Sequence, residues 1–410
     1  MTGAPYAESF RSDFLSACVP EGPARQFCHR VAELAAEDIA PQAAEHDRGA
    51  RHPEGSLRAL AQIGAAGVLV PQEYGGLGHS QAVAALVVET VASACPSTAA
   101  ILMFHYQVVL RTLRYGREPW RSKDLENLAS GRCFGSSAWT EIGAGADKRG
   151  IRTTLALSET EGRVNGEKHF CTGLDGAGLF HVLVATGDHG NGSSSFVRIP
   201  SGLEGVDIPE IYPLLGLRAS STGTLALTNV RVDPSWIIGE IGDGPALMRH
   251  NHTFLMNPGL LGLGIGRAAL ANAKATVTGR DHGSRDISGL QSCRFGIAEM
   301  ETLLAQAYAL ATLAVACPEG SDPQGRHAAN LRLKMVASRA AVEIAQQAML
   351  LAGGRGFHKA WPYERHLRNA YATMVMGPPD AVIKDGLASG ALACRDASDS
   401  ASAQGQLEKV

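Results

Sequence analysis

Metal-ligating and disulfide-forming patterns are missing from this 410-residue chain. Its eight cysteines are scattered, with no CxxC pair and no short histidine and cysteine cluster at the spacing of metal ligands. Structural zinc sites need such spacing, and disulfide frameworks are typical of short secreted chains. The sequence therefore predicts no metal site, and we expect the cysteines to be reduced.

A strong charge of one sign and a long apolar run are missing as well. The formal net charge is −3, and no run of lysine and arginine occurs. No apolar run approaches the roughly 18 residues of a membrane span, and the N-terminal residues lack the basic and apolar regions of a signal peptide. These absences argue against nucleic acid and membranes as partners, and they favour a cytoplasmic protein with a small-molecule substrate.

Helical and strand patterns follow one another in three blocks. Apolar residues recur at helical spacing from about residue 23 to 130, and the period changes to that of strands between about 133 and 233. Within the strand block we predict a turn at 164–166. Helical patterns return at 244 and continue through a last short helix at 380–393.

These patterns predict a mainly α protein with a central β-domain. Its hydrophobic content of 45% and charged content of 19% are those of an ordinary globular protein. We expect an N-terminal helical domain at 1–130, a middle β-domain at 131–240, a C-terminal helical bundle at 241–394 and a disordered tail at 395–410.

The stretch at 134–147, FGSSAWTEIGAGAD, has the composition of a cofactor-binding segment. Serine and threonine supply hydroxyls, Trp139 supplies a flat face, and the glycines at 143 and 145 let a ligand approach the main chain without a Cβ in the way. A plain strand that ends in a glycine turn has the same composition, so the stretch alone leaves both interpretations open.

This stretch resembles the flavin-binding segment of the acyl-CoA dehydrogenases, T-E-P-G-A-G-S-D. Four further segments resemble motifs of that family in the same order: VPQEYGGLG at 70–78, GEKHFCTG at 166–173, LGLRASSTG at 215–223 and LAGGRGF at 351–357. The resemblance implies an N-terminal helical domain, a middle β-barrel-like domain and a C-terminal four-helix bundle. It also implies FAD, with FMN as the second possibility, bound in a homodimer or homotetramer whose neighbouring subunit completes the flavin site.

The resemblance also assigns cofactor-binding residues. It places Trp139 and Thr140 at the pyrimidine side of the isoalloxazine, Phe170 against one face of the ring and Thr172 near its N5 atom. Phe170 stands where the family has a tryptophan, and a simple role in the core of the β-domain is its alternative. Residues expected at the pyrophosphate or in the neighbouring subunit's site are Arg280, Gln291, Gly353 and Gly354. The glycine pair is also compatible with a helix C-cap.

The family's catalytic glutamate is missing at both positions where members carry it. The base takes the α-proton of the acyl thioester while hydride leaves the β-carbon. Counting along the matching segments places Gly377 at one position and Phe254 at the other. Asp380 is the nearby carboxylate, and we expect it to cap the last helix. The T-x-Q that helps to hold adenosine is absent too.

Histidines are the remaining candidates for proton transfer. We predict that His105 and His252 face the flavin cavity as catalytic residues, and His250 is a weaker candidate. For each, a histidine bonded only to backbone is the alternative.

Three functions remain open from the sequence. The first is a flavin-dependent oxidoreductase that acts on an acyl thioester of CoA or a carrier protein, or on a related intermediate of specialised biosynthesis. The second is a monooxygenase that uses oxygen and reduced flavin from a separate flavin reductase. The third is a non-catalytic binding protein.

Overall fold

The chain folds as helices, then a sheet, then helices again. The computed structural model describes residues 6–145, 148–186, 193–251, 254–279, 281–282, 285–316 and 322–392. Helix gives way to strand between Ala129 and Phe134, and strand gives way to helix between Ile238 and Gly244. The proposed domain boundaries stay a prediction, and the tail at 395–410 and His252 lie outside the described residues.

The first block is helical from its first described residues. Helix α5 is nearly all apolar and buried on all sides, so its neighbours surround it. Proline at the first position of α6 starts that helix, since an N1 proline loses no hydrogen bond. The helices are α1 (Tyr6–Cys18), α2 (Pro23–Leu34), α3 (Ala40–Gly49), α4 (Glu54–Gln62), α5 (Gln81–Ala94), α6 (Pro96–Tyr115) and α7 (Trp120–Ala129), with a π-helical turn at Ala35–Ile39 between α2 and α3.

The second block is one eight-stranded sheet. Its order is β6-β7-β3-β2-β4-β5-β8, and β1 pairs with β4 in parallel outside that path. The strands are β1 (Phe134–Ala138), β2 (Thr154–Leu157), β3 (Gly162–Cys171), β4 (Ala177–Ala185), β5 (Ser194–Pro200), β6 (Val206–Ile211), β7 (Gly223–Val232) and β8 (Ile237–Ile238). Parallel pairing with the buried β4 places the end of β1 inside the molecule.

The third block returns to helices. Side-chain caps start two of them, because Asn257 accepts from the Gly259 amide and Asp322 accepts from the Gly325 amide. The helices are α8 (Gly244–Asn251), α9 (Pro258–Thr278), α10 (Gln291–Ala316), α11 (Pro323–Ala352) and α12 (Tyr363–Val375), with a final helical segment at 380–392 and a short ribbon of β9 (Asp281–His282) and β10 (Arg285–Asp286).

The two helical blocks share one hydrophobic core. A single buried cluster runs from Phe14 on α1 through α5 and α6 to Ala370 on α12, while the sheet has its own cluster around Phe180. Gly264 lets α9 cross α5 closely, since a Cβ there would lie 2.6 Å from the Cβ of Ala92. The sheet is therefore held against a helical body built from both ends of the chain.

A buried carboxylate fastens that crossing. Glu89 on α5 accepts hydrogen bonds from Arg267 (2.6 Å), Tyr308 (2.7 Å) and Arg11 (3.3 Å), which lie on three other helices. Burial opposes ionisation, but the two guanidinium groups outweigh it and lower the pKa of Glu89 to about 2. The side chain thus stays charged and binds α1, α5, α9 and α10 together.

The fold class is confirmed: the protein is mostly helical with a central sheet domain. The turn predicted at 164–166 is wrong, because β3 continues through it. Asn165 has no partner in the pairing of β3 with β7, whose register shifts between Val164 and Gly166. This bulge explains the error, since asparagine and glycine occur in bulges as well as in turns. No helix in the described ranges is long and apolar enough to span a membrane.

Gly264→Ala tests the helix crossing. We expect it to lower the free energy of unfolding by about 1 to 3 kcal/mol, since the added methyl group overpacks the contact with Ala92. Gly386→Ala is the control, because its Cβ meets nothing within 4 Å in the final helix and alanine favours that helix by about 1 kcal/mol. Urea denaturation measures both, and equal midpoints would contradict the close crossing.

Candidate flavin site

The structure brings Trp139, Thr140, Phe170 and Thr172 together at the ends of two strands. The chain leaves β1 at Ala138, and Thr140 then forms an antiparallel bridge with His169 of β3. The His169 amide donates to the Thr140 carbonyl at 2.7 Å. Because Phe170 and Thr172 follow His169 directly, the two sequence segments form one local surface.

A buried ion pair fixes the Thr140 segment. The Glu141 carboxylate accepts from Lys168 Nζ at 2.6 Å and from the amides of Arg152 (2.6 Å) and Thr153 (3.0 Å). Burial opposes ionisation of Glu141, but the Lys168 ammonium and the amides outweigh it and lower the pKa of the carboxyl. With both side chains almost fully buried, the segment has little freedom to move.

Phe170 presents an exposed aromatic ring at this surface. Its backbone is left-handed, with φ of 56°, and the side chain is 61% exposed, with its ring edge-on to Tyr212 at 5.1 Å. The alternative role in the core of the β-domain is therefore wrong. A bulky residue rarely adopts this conformation, and such strain is concentrated at functional sites.

Thr172 lies just behind that ring and is buried. Its hydroxyl lies 3.0 Å from the Thr222 hydroxyl, and its carbonyl accepts from Ser136 at 2.7 Å. The Gly173 amide donates to the Ser220 carbonyl at 2.8 Å. The segment at 215–223 thus contributes hydroxyls to the same place, although the sequence assigned no site residue there.

The residues at this surface fit a flat, polar ring system. The indole N–H of Trp139 is buried and has no partner among the described residues, which leaves a donor for a ligand. A Cβ at Gly143 or Gly145 would meet nothing within 4 Å, so the turn leaves open space beside the strand end. Lys148, whose pKa burial lowers to about 8, lies 3.3 Å from the Thr140 hydroxyl and adds a cation.

Three further candidates lie on the C-terminal helices. Gln291 is the exposed first residue of α10, and Gly354 is exposed with open space around it. Gly353 has φ of 61° and ends α11, so the alternative role as a helix C-cap applies to it. In the described chain no hydrogen bond joins these residues to the strand ends. Arg280 lies outside the described residues.

Neither of the two residues that the resemblance places at the position of the glutamate base is a carboxylate. Phe254 is buried, with its ring 5.5 Å from that of His250, and Gly377 has open space where a side chain would project. Asp380 is bound by Lys334 (3.2 Å) and Arg339 (2.7 Å). Burial opposes its ionisation, but these cations lower its pKa, so Asp380 is an ion-pair partner and a poor proton acceptor.

The catalytic role predicted for His105 needs correction. The ring is fully buried, its Nδ1 accepts from the Gly135 amide at 3.1 Å, and its Nε2 donates to the Ala66 carbonyl at 2.9 Å. Burial lowers its pKa to about 4. His105 is thus a neutral histidine that joins α6 to β1, as the alternative interpretation had it. His250 Nδ1 contacts the Tyr115 hydroxyl.

The sequence interpretation missed the residues that support the strand ends. Glu141 directly follows Thr140, and Lys168 lies two residues before Phe170. A charged residue within a segment that is otherwise predicted to be buried is the sequence feature that could have identified them. Arg111 is the other omission: its guanidinium lies 5.4 Å from the Trp139 ring centroid. A lone arginine near a helix C-terminus is usually explained by the helix dipole, so the sequence gives no sign of it.

Comparison with known proteins finds three domains of one family along the chain. Acyl-CoA dehydrogenase models match residues 23–132 (N-terminal domain), 136–230 (middle domain) and 256–392 (C-terminal domain). The probable acyl-CoA dehydrogenase YngJ of Bacillus subtilis is 30% identical over 83% of this chain and 90% of its own length.

Solved structures share the fold. Butyryl-CoA dehydrogenase from Megasphaera elsdenii superposes with a TM-score of 0.85 at 24% identity, covering 90% of this chain and 97% of that protein. The prolyl acyl carrier protein oxidase AnaB has a TM-score of 0.82 at 21% identity, covering 90% and 98%.

The matched relatives define the class of protein, which is a flavin-dependent oxidoreductase. The matched domains then identify the family: the chain belongs to the acyl-CoA dehydrogenases. Members of this family depend on FAD, which the exposed ring, the indole donor and the open glycine turn described above would accommodate.

Lys168→Met tests the ion pair beneath the site. Removing the ammonium leaves Glu141 as a buried charge, so we expect a loss of about 3 to 5 kcal/mol in the free energy of unfolding. Restoring neutrality with Glu141→Gln should recover part of that loss in the double variant. Arg231→Met, which breaks an exposed pair with Glu161, should cost about 0 to 1 kcal/mol. Equal losses in the two single variants would show that the pair does not stabilise the site.

Proposed function

We propose that this protein oxidises an acyl thioester, held by CoA or a carrier protein, or a related intermediate of specialised biosynthesis, without the glutamate base of its family. The observation that carries the proposal is a contrast within one molecule. The residues at the strand ends are of types that suit FAD, whereas the residues that the resemblance aligns with the base are Gly377 and Phe254.

FAD, when bound, would supply a two-electron acceptor for hydride. The chain's own residues would position it: Phe170 offers an apolar face, and the Trp139 and Thr140 backbone is fixed by the Glu141 and Lys168 pair. Thr172 offers a hydroxyl at the same surface. Rigid support of this kind contributes to catalysis by orienting the reacting groups.

Proton removal is the step for which the described residues offer least. Asp380 is held by two cations and His105 uses both ring nitrogens, so neither is available as a base. A substrate with an acidic proton needs less help from the enzyme than a saturated fatty acyl thioester does. We therefore infer a specialised substrate, and the role of His252 remains a proposal.

A second candidate function is oxygenation with reduced flavin from a separate reductase. The same missing carboxylates favour it, because that chemistry needs no α-proton acceptor. A non-catalytic binding protein is the third candidate, and the family argues against it, because the relatives that the chain matches are named as dehydrogenases.

Quaternary structure is part of the proposal. Gln291, Gly353 and Gly354 are exposed on a single chain, and we propose that they complete the FAD site of a neighbouring subunit in a homodimer or homotetramer. Arg280 belongs to the same proposed set.

One pair of measurements separates the enzymatic alternatives. The FAD-loaded protein is titrated anaerobically with acyl-CoA and acyl carrier protein thioesters, and flavin absorbance is followed. Separately, the protein is supplied with a flavin reductase, NADH and oxygen, and product is analysed for an inserted oxygen atom. Anaerobic bleaching supports oxidation of a thioester, whereas oxygen insertion supports the second candidate, and a protein that binds no FAD refutes both.

Gly377→Glu tests the missing base directly. We expect the parent to bleach slowly with straight-chain acyl-CoA, and the variant to bleach faster by up to about 10² to 10⁴-fold, the usual contribution of a positioned base. Space for the side chain exists at this position. Gly377→Gln has the same size without the carboxylate and should remain slow. Rapid bleaching by the parent would mean that the chain has a base elsewhere.

A further inference from the structure

Arg111 is a fully buried cation at the junction of three parts of the chain. From α6 its guanidinium donates to the Asn251 side-chain oxygen on α8 (2.7 Å), to His181 Nδ1 on β4 (3.3 Å) and to the Ser137 hydroxyl on β1. All three partners are neutral, since burial and the charges of Arg111 and Arg198 hold the pKa of His181 well below its usual value.

No carboxylate in the described residues pairs with Arg111. An isolated buried charge is costly, and proteins nearly always supply a partner for it. Burial lowers the pKa of Arg111 to about 9, which still leaves it protonated at neutral pH. A charged side chain is not needed to join α6 to the sheet. Neutral side chains would make hydrogen bonds there without the free-energy cost of burying a charge.

The same sheet contains a second buried arginine, and this one has a carboxylate partner. Arg198 lies opposite His181 on β5 and is almost as deeply buried, but Asp124 binds it through two hydrogen bonds of 2.6 Å. The charge of Arg198 is thus balanced within the fold. Among the residues that the structure describes, Arg111 has no such carboxylate.

Arg111 is directly behind the predicted flavin segment. Its Cζ atom lies 5.4 Å from the centroid of the Trp139 ring and 5.2 Å from that of Phe196. Ser137, which it binds, is two residues before Trp139. The pyrimidine side of the isoalloxazine, which the resemblance places at Trp139 and Thr140, is where negative charge develops when a flavin is reduced.

We propose that Arg111 is a fixed positive charge that stabilises reduced over oxidised FAD and so raises the cofactor's reduction potential. This inference rests on the proposed function for the FAD site, and it makes Arg111 a residue that acts on FAD electrostatically from behind the Trp139 segment. Salt screens a buried charge much less than an exposed one, so the Arg111 guanidinium, 5.4 Å from the centroid of the Trp139 ring, would act on a group bound beside that segment. The unbalanced charge would then serve the step in which FAD gains electrons.

Asn251→Asp is the sharpest variant. It places a carboxylate 2.7 Å from the guanidinium and balances the charge without removing Arg111. We expect affinity for reduced FAD to fall about tenfold relative to oxidised FAD, by the Coulomb argument. A tenfold change corresponds to a midpoint potential lower by about 30 mV for a two-electron couple. The measurements are spectroelectrochemical titration and the dissociation constants of both FAD states.

Matched variants separate charge from structure. Asn251→Ala removes the hydrogen bond without adding charge and should leave the potential near that of the parent. Arg111→Met should lower the potential like Asn251→Asp, and Arg111→Lys should preserve it. The double variant Arg198→Gln, Asp124→Asn removes a balanced pair from the same sheet and should not shift the potential.

An unchanged potential in Asn251→Asp overturns the inference, and so does an equal shift in Asn251→Ala or in the Arg198 and Asp124 double variant. A parent protein that binds no FAD instead refutes the proposed function, so the two failures are distinguishable. If Arg111→Met does not fold, Asn251→Asp still decides the question, because it keeps the arginine and adds its missing partner.

Discussion

The Glu89 carboxylate is the interaction on which the arrangement of the chain depends. Glu89 joins helices from both ends of the sequence. Where α5 and α9 cross, the helices are so close that a side chain at Gly264 would collide with Ala92. A buried ion of this kind is stable only while all its partners are present. The helical body therefore behaves as one unit, and it provides the fixed surface against which β1 and the strand-end site are held.

The strand ends that form the candidate site are held by buried side chains. Lys168 holds the Thr140 segment through Glu141, and the Thr222 hydroxyl of the 215–223 segment lies 3.0 Å from that of Thr172. At the two positions where the resemblance places the base, the chain has Gly377, with open space where a side chain would project, and the buried Phe254. Neither residue has a side chain that accepts a proton.

Local patterns were enough to predict the order of helix and sheet and, with the family resemblance, the residues at the strand ends. They failed wherever the answer depends on a distant partner. His105 donates to the Ala66 carbonyl and accepts from the Gly135 amide, and no spacing in the sequence predicts these two hydrogen bonds. Arg111 is similar, because its distinctive feature is that no carboxylate in the described part of the chain pairs with it, and sequence patterns do not show spatial neighbours. The bulge in β3 misled for a different reason, since turns and bulges share residue types.

The shared helical core also has a consequence for synthesis of the chain. Tyr308 reaches Glu89 across 219 residues, and Met256 accepts from Gln107 across 149. Contacts of such long sequence separation form late and slow folding. During translation the N-terminal part of the chain emerges from the ribosome first. At that stage α5 and α6 have apolar faces that α9 and α10 have not yet covered. Those faces would be exposed to chaperones until the C-terminal helices are complete.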